Sequence, residues 1–205
     1  MPDLDRALAD ISAIRGQMAR GSEFRGYGPM TMAGTGVLAL LAASLQALWL
    51  PDPASDVSSY IALWVTAAAA SALLIGVEMV ARTRRIHHGL ADEMIQAAIG
   101  EFMPAGIAGA LVTFVLFRCA PQNLSMLPGL WQVMFSLGVF ASCRSLPRPI
   151  FMVAIWYLFA GLANLALAGE GATFSPWAMG APFGVGQMLV ALILHRSFAE
   201  HHADG

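Results

Sequence analysis

Six apolar stretches, at about 30–50, 58–80, 97–117, 125–143, 150–168 and 177–195, divide the chain, separated by short runs rich in Arg, Asp, Pro and Ser. Each is roughly 19–23 residues long, enough at ~1.5 Å per residue to cross a hydrocarbon core of ~30 Å. The pattern predicts an all-α integral membrane bundle of six transmembrane helices arranged as three hairpins. Ahead of the first stretch the period changes. Leu4, Ala7, Leu8, Ile11, Ile14 and Met18 recur at helical spacing, which predicts a short amphipathic helix over residues 3–20. The chain thus divides into the amphipathic helix and a Gly-rich hinge (1–29), the six-span domain (30–196) and a tail (197–205).

Composition agrees with a lipid setting. Hydrophobic residues make up 58% of the chain and charged ones 12%, against about 45–50% and 25% in soluble domains. The 205 residues are nearly used up by spans and loops, so no sizeable soluble domain is expected. All eleven positive side chains are arginines. Threading the spans back and forth puts ten of them on one side, with Arg118 alone on the other. Loops with the basic excess stay in the cytoplasm, so both termini are expected there, in a bacterial inner membrane. The first span is expected to act as an uncleaved insertion signal. Net charge of −2 gives no reason to expect nucleic acid. Cys119 and Cys143 fall at opposite ends of their spans, too far apart for a disulfide.

Residues 3–20 carry three aspartates against Arg6, Arg15 and Arg20. A helix lying on anionic lipid has a basic polar face, so this neutral one is expected to pack on its own loops, a second copy or a protein partner. Small residues promise close helix approach: Ala67 to Ala72 in the second span, Gly106 and Gly109 in the third, Gly180, Gly184 and Gly186 in the sixth. Pro104 and Pro182 each free a carbonyl one turn earlier. Trp49, Trp64, Trp131 and Trp177 fall near span ends, where an aromatic belt is the ordinary explanation. A faint internal repetition shows in Ala33-Gly34, Ala105-Gly106 and Ala160-Gly161, and in Leu63-Trp64 against Leu130-Trp131.

Ionisable groups inside a bilayer are costly and so mark candidate sites. Glu78 and Arg82 stand at i and i+4, the spacing of a helix-surface ion pair. Glu101, followed by Phe102, Met103 and Pro104, is expected to meet a neighbouring arginine or a cytoplasmic-side cavity. With Arg144 and His195 at similar depth, these five residues form a candidate polar cluster. Deeper in the spans, Gln132, Asn164 and Gln187 form a candidate intramembrane polar pocket, with Gln46 and Ser136 nearby in character. Interhelical hydrogen bonds of ~0.6–2 kcal/mol each explain them equally well. His87-His88 and His201-His202 are weak metal candidates, and no metal or other cofactor is expected. Walker loops, nucleophile elbows and His-Glu-x-x-His pairs are missing from the sequence.

The stretch Leu127-Pro-Gly-Leu-Trp131 running to Gly138, the turn Arg144-Ser-Leu-Pro-Arg148, and Trp177-Ala-Met-Gly180 with Phe183-Gly184 resemble uncharacterised small bacterial six-span inner-membrane proteins. The resemblance covers the C-terminal half and rests on Gly, Pro and aromatic positions. It implies the topology and no activity.

Three functions fit this pattern. The first is a non-enzymatic module binding a protein partner or small apolar ligand, mainly from the cytoplasmic side. The second is a small-solute transporter. The third is a membrane-embedded hydrolase or transferase built on Glu78, Arg82, Glu101 and His195. The neutral N-terminal helix and the scarcity of reactive groups favour the first.

Overall fold

The computed structural model describes residues 27–86, 91–169 and 174–203. The N-terminal helix expected over 3–20, His87 and His88 lie outside these residues, as do the side chains of His201 and His202. The described chain is all-helical, with no strand among the described residues. Six α-helices follow one another: α1 Pro29–Trp49, α2 Val57–Ile86, α3 Ala91–Cys119, α4 Leu127–Ser142, α5 Ile150–Ala166 and α6 Pro176–Ala203. A 3₁₀ turn, Pro121–Met126, leads into α4, and a second, Leu167–Gly169, ends α5.

Five segments are long and apolar enough to cross a membrane: Pro29–Trp49, Val57–Arg85, Asp92–Cys119, Pro121–Ser142 and Pro176–Ala199. Ile150–Ala166 is apolar but shorter, at 17 residues. The helix starts follow from local chemistry. Proline stands in the first turn of α1, α4 and α6, where its missing N–H costs nothing. Asp56 caps α2: its carboxylate accepts from the Ser59 N–H at 3.1 Å and the Ser58 hydroxyl at 2.7 Å, satisfying donors that the first turn leaves open.

Each helix packs against the next in chain order, and α6 closes the ring on α1. That closing contact is the most extensive, followed by α4–α5 and α3–α4, while α2–α3 is the slightest of the sequential pairs. The hairpin partners therefore do meet, but the two tightest pairings run between the expected hairpins. Small residues decide this. Along α1–α6 the antiparallel register sets Gly36 against Gly184 and Gln187, and Ala43 against Gly180. Between α4 and α5 the backbones touch. A Cβ on Gly129 would lie 2.8 Å from the Gly161 carbonyl oxygen, and one on Gly161 would lie 2.9 Å from that of Gly129.

Other small residues behave differently from expectation. Gly106 and Gly109 have nothing within 4 Å of their Cβ positions. The Ala67–Ala72 stretch is at most half-buried. Apart from Ala67, which packs on the interior cluster around Tyr60, these small residues do not make the close helix contacts expected of them. Trp64 is a second correction: only 5% exposed, it belongs to an interior cluster with Ala42, Ala43, Tyr60 and Met179. Trp131 packs on the same cluster. Trp49 and Trp177 stay exposed at the rim, where a belt would have them.

Candidate functional site

The intramembrane amides form two clamps rather than one pocket. Pro182 has no N–H to give the Ala178 carbonyl one turn before it. That freed carbonyl accepts instead from Gln132 Nε2 at 2.7 Å and from Asn164 Nδ2 at 2.9 Å. Asn164 Nδ2 also donates to Gln132 Oε1 at 3.0 Å. One carbonyl, left open by proline, thus ties α4, α5 and α6 together. Gln46 makes the second clamp. Fully buried, it donates to the Phe174 carbonyl at 2.6 Å and accepts from the Trp64 indole at 2.8 Å. Ser136 adds a bond from α4 to the Ala154 carbonyl of α5 at 3.0 Å.

Gln187 does not join Gln132 and Asn164. It lies further along α6, with its Cβ against Gly36 and its Oε1 buried without a hydrogen-bond partner. The Tyr157 hydroxyl, packed over Gly186, is likewise buried and lies within hydrogen-bonding range of the Gln187 side chain, without the geometry of a good bond. Around Tyr157 stands an aromatic core: Phe135 meets Phe102, Tyr157 and Phe183 with ring centroids 4.7–5.2 Å apart, the edge-on spacing aromatic rings favour.

Of the two parts of the faint repetition in the sequence, the Leu-Trp pairs share a similar contact. Trp64 and Trp131 each donate an indole N–H to a side-chain oxygen 18 residues earlier, on the preceding helix: Gln46 for the first, Thr113 Oγ1 at 2.8 Å for the second. The Ala-Gly pairs are not equivalent. Gly34 and Gly106 face open space, whereas Gly161 sits in the tightest crossing of the bundle.

At the end that carries both termini, the five-residue cluster assembles in part. Glu78 and Arg82 pair at 4.0 Å, each about one-third exposed, a contact worth only ~0.3–0.5 kcal/mol. Further contacts hold the two in place. The Glu78 carboxylate presses against Gly28, the residue that opens α1, where any Cβ would collide with it. A negative group there meets the positive end of the α1 dipole. The Arg82 guanidinium lies 4.6 Å from the centre of the Phe198 ring of α6, a cation–π contact worth about 0.5–1 kcal/mol.

Glu101 meets no arginine among the described residues. Its Oε2 accepts from the Ser145 hydroxyl at 2.8 Å, which joins α3 to the turn between α4 and α5. The sequence predicts an arginine or a cytoplasmic-side cavity here, and the partner found is a neutral donor, which suffices because Glu101 is only half-buried. Arg144 and His195 are exposed. No hydrogen bond or ion pair among the described residues ties either of them to Glu78, Arg82 or Glu101.

Two members of this end are invisible to a charge-based reading. Tyr27 is held among the helix ends, and its phenol is pushed up to about 12, first by burial and second by the charge of Glu101. It is therefore neutral at any physiological pH. Thr83, fully buried, has no partner for its hydroxyl. The signal for Tyr27 was its position, an aromatic residue between two glycines at the mouth of the first span.

The opposite end carries two shallow clefts flanking the α1–α2 loop. One, about 300 Å³, is lined by Gln46, Trp49, Asp56 and Ser59 among others. The other, about 540 Å³, is lined by Leu50, Asp52, Phe174 and Trp177 among others. Comparison with protein-family models, with curated proteins and with solved structures gives no match for this chain.

Proposed function

We propose that the protein is a non-enzymatic, multi-pass module of a bacterial inner membrane, with six spans and both termini in the cytoplasm, that binds a protein partner from the cytoplasmic side. One observation carries this reading. Three amides within the spans, Gln46, Gln132 and Asn164, donate to backbone carbonyls, and a fourth, Gln187, is buried against Gly36 between α1 and α6. A solute pathway needs polar groups that are accessible and free to replace a hydration shell, and none of these four is both. Glu78, Arg82 and Glu101 gather instead at the end of the bundle where α2, α3 and the start of α1 meet.

The test is gentle purification of the full chain and of a form lacking residues 2–20, with mass spectrometry of whatever accompanies each. A partner protein that accompanies the full chain and is lost on truncation, while the bundle stays monodisperse, is the expected outcome. Identical partners for both forms would remove residues 3–20 from the reading. Solute uptake into vesicles that stops on Gln132→Leu without loss of fold would favour transport instead.

A further inference from the structure

We propose that Tyr27 is a latch that holds the loosely packed α2–α3 ends against the tight α1–α6 body, at the end of the bundle that carries both termini. The case begins with how unevenly the bundle is packed. Within the apolar windows of α2 and α3, 11% and 0% of residues are buried, against 33% for α1 and 44% for α6. At the far end, α2 and α3 are nonetheless well fixed. The Trp64 and Trp131 indoles are hydrogen-bonded to neighbouring helices, and the rings of Tyr60 and Trp131 lie parallel with centroids 6.4 Å apart. At the termini end the side chains form two separate apolar clusters. Met79, Met94, Ile95 and Ala98 make one, between α2 and α3. Met32, Ala191 and Leu194 make the other, between α1 and α6.

Tyr27 packs against both clusters, and among the described residues it is the one side chain they share. Other links cross this gap as well: Ile75 of α2, partly buried against the α1–α6 cluster, the Glu78 carboxylate on Gly28 and the Arg82 guanidinium over Phe198. Tyr27 differs from these in packing on both clusters at once, and ring burial is a large apolar contribution for a single side chain. With the ring withdrawn, the α2 end keeps Ile75 and the two polar contacts on the α1–α6 body, and Thr83 opens to water. Thr83 lies one turn beyond Met79, fully buried. Tyr27 stands two residues before α1 and seven residues after the segment proposed to meet a partner. The latch is a property of the bundle alone, and its test needs no partner.

The experiment uses the full chain in lipid nanodiscs, with Cys119→Ser and Cys143→Ser as background. Single reporter thiols come from T83C at the latch and S136C, equally buried, between α4 and α5. N-ethylmaleimide is the probe. Tyr27→Ala is expected to raise the T83C labelling rate by about tenfold or more, as local opening does, while S136C labelling stays unchanged. Tyr27→Phe keeps the ring and is expected to leave T83C within about twofold. Tyr27→Leu, which keeps apolar volume with less reach, is the second variant should Tyr27→Ala not fold, and is expected to fall between the two. An unchanged T83C rate in both Tyr27→Ala and Tyr27→Leu overturns the latch. So does a rise at S136C that matches the rise at T83C in Tyr27→Leu, because the whole bundle would then be loosening.

Discussion

Where the Gly129 and Gly161 backbones meet, a single methyl group has nowhere to go: besides a side-chain carbon of Leu165 or Val133, it meets a carbonyl oxygen and a peptide nitrogen within 2.9 Å, and the backbone atoms cannot swing aside. Gly161→Ala is therefore expected to cost about 1–3 kcal/mol, the usual penalty of overpacking. Gly106→Ala, facing open space, should be neutral or gain up to ~1 kcal/mol from helix propensity. Reversible unfolding in mixed micelles distinguishes the two, and equal effects would contradict the packing described. Asp56 is a second residue with a clear sign. Ser59 and then Ser58 hold its carboxyl below the usual carboxylate range. Its support for the start of α2 is thus present above the ordinary value of ~4 and is lost as pH falls through the lowered folded value. Amide exchange at Ser59 and Tyr60 should speed up on acidification relative to Asp56→Asn, which caps without titrating. Matching pH profiles would rule the cap out.

At the scale of elements, a proline and two amides have to be read together. Pro182 opens the Ala178 carbonyl, and Gln132 with Asn164 close it. Gln132→Leu leaves Asn164 as the sole side-chain donor to Ala178 and is expected to cost about 1 kcal/mol. In a Pro182→Ala background the helix supplies its own N–H to Ala178, so the same substitution should cost less by about 0.5 kcal/mol or more. A double-mutant cycle measures the coupling, and strict additivity would refute it. The same logic separates α6 from α3. Both contain an internal proline, but only the α6 carbonyl is met by side chains among the hydrogen bonds described here.

The described residues form a ring of helices closed by its first and last members, in which α2 and α3 bury the smallest share of their apolar residues. Large apolar side chains of α3, including Ile107, Leu111 and Phe114, are more than half exposed, which suits a surface facing lipid tails. The proposed orientation gives a direct test. Cys119 is exposed at the end away from the termini, and Arg144 is exposed at the other. An impermeant thiol reagent applied to intact spheroplasts is expected to modify Cys119. An R144C thiol in a Cys119→Ser background should react only after the membrane is opened. The reverse pattern would invert the topology.

The positions of the helices were legible in the sequence because lipid imposes a length and an apolar content on each segment, and both are one-dimensional quantities. Helix ends match to within a few residues, except that α2, α3 and α6 run on at the termini end, where propensity rather than hydropathy sets the boundary. The Glu78–Arg82 pair was equally legible, being local to one helix, and so was the carbonyl freed by Pro182. What met that carbonyl was not. Gln132 and Asn164 are 46 and 14 residues away from it in the chain, and only the crossing of α4 and α5 at paired glycines brings them there. Alanine and glycine look alike in a list whether they face a helix or lipid, so Gly161 and Gly106 could not be told apart before packing was known. The same limit applied to Trp64 and to Tyr27. An aromatic side chain near a span end suits the membrane interface and the protein interior equally well, and the neighbours brought there by the rest of the chain decide between them.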